Sequence, residues 1–329
     1  MRSPNIRYLP EVDHLRAVAA LWIVAYHGQQ LIGSVLGLGR GFSADDWTFT
    51  WNPLTALLYE GHTAVALFMV LSGFIFTYGA FGKHLDYRAF VTNRVLRIYP
   101  LFVVVLMAGV AFYPQQFDPG RLLTSLFLFA NVAPLDLGPM SGMFWAISVE
   151  CQFYLLFPFL LAYLSRAPAR HAVSLVALAL ALRGLGLLLG VNVRDLSYFH
   201  LLGRIDQFVA GMIGAMLLRR LEAARLAAWY PVLAGIAATA VLFGFHRLGG
   251  WPSTAGWKIA WPLVEGVTWA AVIVAYVGRR RPLAGTAVAP ARRDRPDRFL
   301  DLPAPPRSSR AWSIDGCWSR RPAARAGMP

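Results

Sequence analysis

The sequence predicts an all-α protein that crosses a membrane several times. Of its 329 residues, 57% are hydrophobic and only 15% are charged, against about 45–50% and about 25% in ordinary soluble domains. The mean hydropathy is +0.49. Apolar residues gather in runs near 20 residues, the length that a helix needs to cross a hydrocarbon core of about 30 Å. These observations exclude an ordinary soluble domain and a chain that is disordered along its bulk.

Eight apolar runs of this kind follow one another along the chain, and we predict eight membrane-spanning helices from them. A further run, over 121–133, is too short to cross by itself, and we expect it to be re-entrant or buried. The eight runs cover residues 14–33, 62–81, 98–113, 143–165, 172–190, 198–218, 229–247 and 258–278.

Basic residues stand in alternate connections, which predicts the orientation of the chain. They lie at the N-terminus, in 82–97, 165–171 and 219–228, and after residue 278. With eight spans, all of these segments fall on one side of the membrane. The positive-inside rule makes that side cytoplasmic, so both termini are predicted to be cytoplasmic. The net charge of +14 is therefore attributed to topology, and we expect no nucleic-acid partner.

The composition changes at residue 279. Residues 279–329 hold twelve Arg and eight Pro and contain no apolar run. We therefore divide the chain into a membrane domain, 1–278, and a disordered basic tail rich in Arg, Pro and Ala, 279–329. One interpretation gives the tail a function, because its basic residues could bind anionic lipid. We favour the other interpretation, in which the tail has no function of its own.

Ionisable residues inside predicted spans mark the candidate site, because a charge in a membrane usually faces a cavity or a partner. Arg16 and His27 are eleven residues apart, so they share one helix face and lie about 16 Å apart along it. His27 can act as a base near neutral pH. Arg16 can hold an anionic group or pair with Asp13 one turn earlier. The alternative is a histidine satisfied by neighbouring spans, with an arginine that snorkels.

Two short motifs allow a functional and a structural interpretation each. Arg94 and Arg97 share a helix face at the predicted cytoplasmic surface, where two guanidinium groups suit a phosphorylated ligand. A topology signal with lipid-phosphate contacts explains them equally well. The pair Ser72-Gly73 lies inside a predicted span, where small residues allow close helix packing or a hydroxyl lines a polar path.

The most informative run extends from Trp145 to Tyr154. Glu150 lies inside it with Tyr154 one turn later on the same face. A buried carboxylate must find a cation or be protonated. Arg16, Arg204, His27 and a substrate hydroxyl are all open as its partner, and a purely structural ion pair is the alternative.

Further charges occur in later spans. Arg204 and Asp206 are two residues apart and therefore point in different directions on a helix, which predicts separate partners. Arg183 and Glu265 are weaker candidates. Arg183 has no polar neighbours in the sequence, and we expect it to snorkel.

Four of these runs together resemble the acyltransferase-3 family, bacterial integral-membrane enzymes that O-acylate cell-surface polysaccharides and related glycans. The resemblance covers the chain from about Tyr8 to Gly278. The motifs, in order, are Asp13-His-Leu-Arg16 with His27, Phe68-Met-Val-Leu-Ser72-Gly73-Phe74, Arg94-Val-Leu-Arg97-Ile-Tyr-Pro100, and Trp145 through Tyr154.

The resemblance implies an acyltransferase of the bacterial cytoplasmic membrane that moves an acyl group, most simply acetyl, from acyl-CoA to a hydroxyl of a polysaccharide or lipid-linked sugar. Acyl-CoA is then a co-substrate, and neither a bound cofactor nor a metal is expected. The catalytic candidates are His27, Arg16 and Glu150. The candidates for binding acyl-CoA are Arg94 and Arg97, and those for binding substrate are Ser72, Tyr154 and Arg204.

Two alternatives remain. Family members usually have ten spans, and a Ser-Tyr-Ser-x-Tyr-Leu-x-His-like stretch expected near Arg281 is absent. This favours a frame change or truncation near residue 280, and with it an inactive member of the family. A transporter for an ion or a sugar is the other alternative, because buried charges suit a transport path equally well. Against it, no internal repeat is visible.

Overall fold

The computed structural model describes residues 9–40, 42–43, 46–132, 142–221 and 226–279. Within these ranges the chain forms helices and connecting segments, without a strand. Two short 3₁₀ helices, Pro114–Gln116 and Gly256–Ile259, lie in connections. The α-helices are α1 (Pro10–Leu38), α2 (Pro53–Tyr59), α3 (Thr63–Ala80), α4 (Tyr87–Phe112), α5 (Pro119–Leu126), α6 (Phe144–Arg166), α7 (Pro168–Leu188), α8 (Val193–Phe199), α9 (Leu201–Arg220), α10 (Tyr230–Arg247) and α11 (Trp261–Arg279).

The predicted multi-pass helical bundle is confirmed. Among the described residues, six helices are long and apolar enough to cross a membrane, namely α3, α4, α6, α7, α9 and α11. The remaining two predicted spans, 14–33 and 229–247, are also helical, as α1 and α10. Neither is among the six, so the count of eight stays a prediction. The run 121–133 holds only the eight-residue α5, in agreement with the expectation that it does not cross.

Helix α3 is the centre of the bundle. Within its most apolar stretch 83% of the residues are buried inside the protein, against 11% for α7 at the periphery. It packs most extensively on α9 and also contacts α1, α6 and α11. A Cβ atom added to Gly73 would lie 2.2 Å from the carbonyl oxygen of Phe208, and one added to Gly211 would lie 2.0 Å from that of Val70. The packing interpretation of Gly73 is therefore confirmed.

The helices alternate in direction, so the bundle has two ends with different chemistry. We call the end where α3 finishes and α4 begins the arginine end, because it carries Arg94 and Arg97. Helix α4 begins there at Asp86, whose carboxylate caps the helix by accepting the backbone N–H of Ala89 at 2.9 Å. We call the opposite end, where α1 finishes and α3 begins, the histidine end.

The predicted tail lies outside the described residues, apart from Arg279, the last residue of α11. The division of the chain at residue 278 therefore stays a prediction.

Candidate active site

Glu150 is the centre of a polar cluster in the middle of the bundle. Its carboxylate oxygen Oε1 accepts a hydrogen bond from the Ser72 hydroxyl of α3 at 2.9 Å. The hydroxyl of Tyr154, one turn later on α6, donates to the same oxygen. The structure thus brings together three of the predicted site residues. The sequence left Arg16, Arg204 and His27 open as side-chain partners of Glu150, besides a substrate hydroxyl. Among the described residues, Glu150 forms a hydrogen bond with none of these three side chains.

Arg94 extends this cluster towards the arginine end. Its guanidinium lies over the ring of Phe76, 4.7 Å from the centroid, and its buried Nε has no hydrogen-bond partner among the described residues. The charges of Arg16, Arg97 and Glu150 are near enough to interact with it electrostatically. Arg94 is half-buried, whereas Arg97 is exposed one turn further along α4.

Arg16 lies in the second turn of α1, at the arginine end. Its guanidinium is 3.7 Å from the carboxylate of Asp13, and both side chains are partly exposed. An exposed pair of this kind contributes at most about 1 kcal/mol to stability. Arg16 therefore keeps its charge available to other groups at this end of the bundle.

His27 lies apart from the Glu150 cluster, in the half of α1 nearer the histidine end. Its side chain is exposed, interacts with Gln30 and stands beside the ring of Tyr26, with 4.9 Å between centroids. Beyond it, the end of α1 and the segment that follows line a groove of about 440 Å³. Amide, carboxylate and aromatic groups contribute to its wall, among them Gln29, Gln30, Asp46, Trp47 and Tyr59.

Arg204 is buried and belongs to a second polar cluster, between α9 and α11. Its Nε donates to the carbonyl oxygen of Tyr198 at 2.8 Å, and its Nη1 donates to Oε1 of Gln207 at 3.1 Å. The same Nη1 is 3.5 Å from Oε2 of Glu265, which also accepts from Gln207 at 2.8 Å. The carboxylate partner of Arg204 is therefore Glu265.

The expectation that Arg183 snorkels is wrong. Its side chain is fully buried, and its Nη2 is 2.6 Å from Oδ2 of Asp206, which is also buried. Its Nη1 donates to the carbonyl oxygen of Ile259 at 2.8 Å. The partner lies 23 residues further along the chain, on another helix, where the local sequence gives no indication of it. The separate partners predicted for Arg204 and Asp206 are confirmed.

Sequence reasoning missed a third cluster, at the histidine end. Glu60 is fully buried between two histidines: its Oε2 lies 2.9 Å from Nε2 of His62, and its Oε1 lies 2.8 Å from Nδ1 of His246. The Nε2 atom of His246 accepts the backbone N–H of Thr50 at 2.9 Å. The only local signal was that Glu60 and His62 begin an apolar run and His246 ends another, so that all three fall at the same end of the bundle.

The arrangement of the His, Cys, Asp and Glu side chains determines whether a metal ion could bind. Within the described ranges, no group of three or more His, Cys, Asp and Glu side chains is arranged to hold a metal ion. The polar groups at hand are three arginines at one end, a carboxylate with two hydroxyls in the middle, and histidines at the other end. This set can bind anions and move protons.

Fold and site together define a multi-pass membrane protein with acid–base groups inside its helix bundle. The family model described as "Acyltransferase domain" matches residues 9–283, and the chain belongs to this acyltransferase-3 family. The resemblance drawn from the four motifs is thereby confirmed.

Several proteins named as acyltransferases or putative acyltransferases are similar to the chain. It is 28% identical over 181 residues to the peptidoglycan O-acetyltransferase OatA of Listeria monocytogenes, which covers 48% of this chain and 25% of OatA. It is 27% identical over 205 residues to the putative peptidoglycan O-acetyltransferase YrhL of Bacillus subtilis, covering 54% and 28%. It is 30% identical over 178 residues to the acyltransferase MdmB of Streptomyces mycarofaciens, covering 51% and 43%.

The chain matches less than half the length of each of these relatives. No solved structure is detectably similar to it.

Proposed function

We propose that this chain is a membrane-bound O-acyltransferase of the bacterial cytoplasmic membrane. It moves an acyl group, in the simplest case acetyl, from acyl-CoA to a hydroxyl of a cell-surface glycan or lipid-linked sugar. Membership of the family and the similarity to proteins named O-acetyltransferases support the reaction class. The observation that carries the proposal is the separation of arginines at one end of the bundle from histidines at the other, with Glu150 between them.

The arginine end suits the donor. Coenzyme A carries phosphate groups, and guanidinium groups bind phosphate through paired, charge-assisted hydrogen bonds. Arg97 is exposed there and Arg94 keeps a buried Nε without a partner among the described residues. Arg16 adds a third positive charge within electrostatic range of Arg94. We assign the phosphates of acyl-CoA to this end, which the basic connections predict to be cytoplasmic.

The histidine end suits the acceptor. The groove beside Gln30 offers amide and carboxylate hydrogen-bonding groups together with aromatic rings, a combination that fits sugar hydroxyls and the apolar faces of a sugar ring. Its volume of about 440 Å³ is within the usual range for a small-molecule site. His27 reaches this region through its interaction with Gln30. Ser72, Glu150 and Tyr154 then line the polar path between the two ends, and Arg204 lies near the acceptor.

Acyl transfer requires the acceptor oxygen to attack the thioester carbonyl while its proton is removed. We assign His27 to this reaction, either as the general base or as the nucleophile that carries the acyl group between donor and acceptor. In both cases the carbon–sulfur bond breaks, and the sulfur of CoA leaves with the electron pair and takes up a proton. The acyl group stays bonded to the sulfur of CoA until it reaches His27, and we assign Arg16 and Glu150 to setting the charge and orientation of the reacting groups.

The test is turnover of acetyl-CoA labelled in its acetyl group, with the full chain purified in detergent. We expect His27→Ala to abolish transfer and Arg97→Ala to raise the KM for acetyl-CoA about tenfold or more, since a charged hydrogen bond contributes about 1.5–3 kcal/mol. Arg88→Ala is the matched control, an exposed arginine at the start of the same helix. Transfer by His27→Ala would refute the role of His27. A wild-type chain that turns over no acyl-CoA donor would favour the inactive family member if a control with a restored ten-span C-terminus is active, and the transporter if that control is inactive as well.

A further inference from the structure

A small polar cavity lies at the histidine end, enclosed by the start of α3, by α8 and α9, and by the start of α11. It has a volume of about 20 Å³, which is room for about one water molecule or one hydroxyl group. Its lining includes His62, Tyr198, Arg204, Lys258 and Glu265. So many charged and polar side chains are unusual around a cavity of this size, because burying each of them away from water costs free energy.

Three atoms in this lining have no hydrogen-bond partner among the described residues: Nδ1 of His62, Nη2 of Arg204 and Oε1 of Glu265. Their side chains are only 4%, 1% and 2% exposed. Each buried polar atom left unpaired costs about 1–3 kcal/mol. Three such atoms around one cavity indicate a site built for a small polar group that can both accept and donate a hydrogen bond.

The hydrogen bonds around His62 fix what its free nitrogen can do. Nε2 faces the carboxylate of Glu60 at 2.9 Å and therefore carries the proton that this acceptor requires. In the neutral imidazole, Nδ1 is then an acceptor, and it is buried without a partner among the described residues on a side chain that lines the cavity. A carboxylate behind the imidazole also stabilises the imidazolium that forms when Nδ1 takes a proton.

His246 contacts the same carboxylate but, unlike His62, has no free ring nitrogen. Its Nδ1 donates to Glu60, but its Nε2 already accepts the backbone N–H of Thr50 at 2.9 Å. Both of its nitrogens are therefore occupied, and it is absent from the cavity lining. Of these two histidines, only His62 offers a free nitrogen to a ligand.

We propose that this cavity binds a hydroxyl group of the acyl acceptor and that His62 is the general base that removes its proton. The proposal rests on the acyltransferase function proposed above. A hydroxyl both accepts and donates, so it can accept a hydrogen bond from Arg204 and donate one to His62. Since the cavity holds a single oxygen-sized group, only the reacting hydroxyl enters it, and water takes the same place when the acceptor is absent.

In the proposed step, His62 takes a proton from the acceptor hydroxyl and later gives it to the leaving group. The acceptor oxygen attacks the carbonyl carbon of the acyl group as its proton passes to Nδ1 of His62, and Glu60 offsets the positive charge. The bond from the acyl carbon to the leaving group breaks, and the leaving group keeps the electron pair. With His62 as the base, His27 has the other of its two proposed roles, the nucleophile, so that group is a nitrogen of His27, which has taken the acyl group from the sulfur of CoA. The proton then passes from His62 to the leaving group, and the base is restored.

The position of His62 agrees with this role. Its ring lies 6.1 Å from that of Tyr26, and Tyr26 lies 4.9 Å from His27, centroid to centroid. The two histidines thus flank one tyrosine at the same end of the bundle. In this arrangement Glu60 is a positioning residue, because it acts on the acceptor only through His62.

The test compares His62→Gln with His246→Gln in the full chain in detergent. Each variant removes one imidazole from Glu60 and can keep an amide hydrogen bond to it, so the structural cost is matched. The probe is labelled acetyl-CoA with water as the acceptor, so that the natural glycan is not needed. We expect His62→Gln to lower kcat for acetate release about 100-fold or more, as for a lost general base, with little change in KM for acetyl-CoA. We expect His246→Gln to lower it less than about threefold.

Chemical rescue separates a base from a structural residue. His62→Ala leaves space for a small amine, and we expect added imidazole to restore part of its turnover, while His246→Ala, whose imidazole only makes structural hydrogen bonds, gains nothing from imidazole at the same concentration. Equal rates for wild type and His62→Gln would overturn the proposal for His62 and leave the acyltransferase function standing. A folded wild-type chain that releases no CoA from acetyl-CoA would instead overturn the proposed function itself. Loss of turnover in His62→Ala without rescue, with equal loss in His246→Gln, would mean that the Glu60 cluster is structural.

Discussion

Lys258 is a buried amine whose surroundings work against its charge. It lies in the 3₁₀ helix before α11, outside the six apolar helices, and is 3% exposed. Its Nζ donates to the carbonyl oxygen of Trp251 at 2.6 Å. Burial lowers the pKa of Lys258 to about 7, although the negative charge of Glu60 partly opposes this. At neutral pH the amine is therefore close to half-protonated, in contrast to a lysine in water.

This shift predicts that the protein becomes more stable in mild alkali. Between about pH 7 and pH 10 the unfolded lysine stays protonated and the folded one does not, so the unfolded state binds more protons and stability rises with pH. We expect the midpoint of thermal unfolding in detergent to rise by about 2–5 °C between pH 7 and pH 9. Lys258→Met should lose this rise. Lys83→Met, at the other lysine of the chain and exposed, should retain it. If the unfolding midpoints of both variants depended on pH in the same way, the lowered pKa of Lys258 would be contradicted.

The residues whose roles were visible in the sequence are those with polar neighbours on their own helix. Glu150 and Tyr154 lie one turn apart, and periodicity alone placed them together. Glu60 and His246 are 186 residues apart, and no helical period relates them. Pairing between helices depends on tertiary packing, which a single sequence does not reveal. For the same physical reason the partner of Arg183 was missed.

At the scale of secondary-structure elements, the hydrophobicity and length of the apolar runs were enough to predict the long helices. All eight predicted runs fall within helices of 18 residues or more in their main part, and the short run 121–133 contains a short helix. The features that hydrophobicity does not encode are the short helices α2 and α8, which carry polar N-caps, Asn52 and Asn192. Both lie in connections at the histidine end, where Tyr59 of α2 lines the groove and Tyr198 of α8 lines the small cavity.

The contact between α3 and α9 depends on two glycines, and we predict that neither tolerates a methyl group. Gly73→Ala and Gly211→Ala each place a Cβ near 2 Å from a backbone carbonyl oxygen of the other helix, so the helices must separate. We expect each to cost about 1–3 kcal/mol or more, seen as a lower midpoint of thermal unfolding in detergent. Turnover should fall as well, because Ser72 is next to Gly73 and its bond to Glu150 would lengthen.

Gly235→Ala is the control for this contact. Gly235 lies within α10 and has no atom within 4 Å of an added Cβ, so the substitution should be neutral or stabilise by up to about 1 kcal/mol through helix propensity. If Gly73→Ala and Gly235→Ala unfold at the same temperature, the close approach of α3 and α9 is not the contact that holds the bundle together.

At the scale of the whole molecule, the proposed reaction requires a particular orientation. Acyl-CoA is made in the cytoplasm, whereas a surface glycan lies outside, so the arginine end must face inward and the histidine end outward. The basic connections predict this orientation, independently of any assignment of Arg94 or His27. Arg94 and Arg97 contribute to both arguments, but the basic connections 165–171 and 219–228 predict the same orientation without them.

Cysteine labelling tests the orientation in cells. In a chain with Cys151 and Cys317 replaced by Ser, we expect Trp51→Cys, at a position 77% exposed near the histidine end, to react with a membrane-impermeant maleimide in intact spheroplasts. Arg88→Cys, exposed at the arginine end, should react only after the membrane is permeabilised. The reverse pattern would place Arg94 and Arg97 outside, where cytoplasmic acyl-CoA cannot reach them, and the donor site would have to be assigned to the opposite end of the bundle. Labelling of both positions from outside would mean that the number of crossings between residues 51 and 88 is even, which the single helix α3 does not allow.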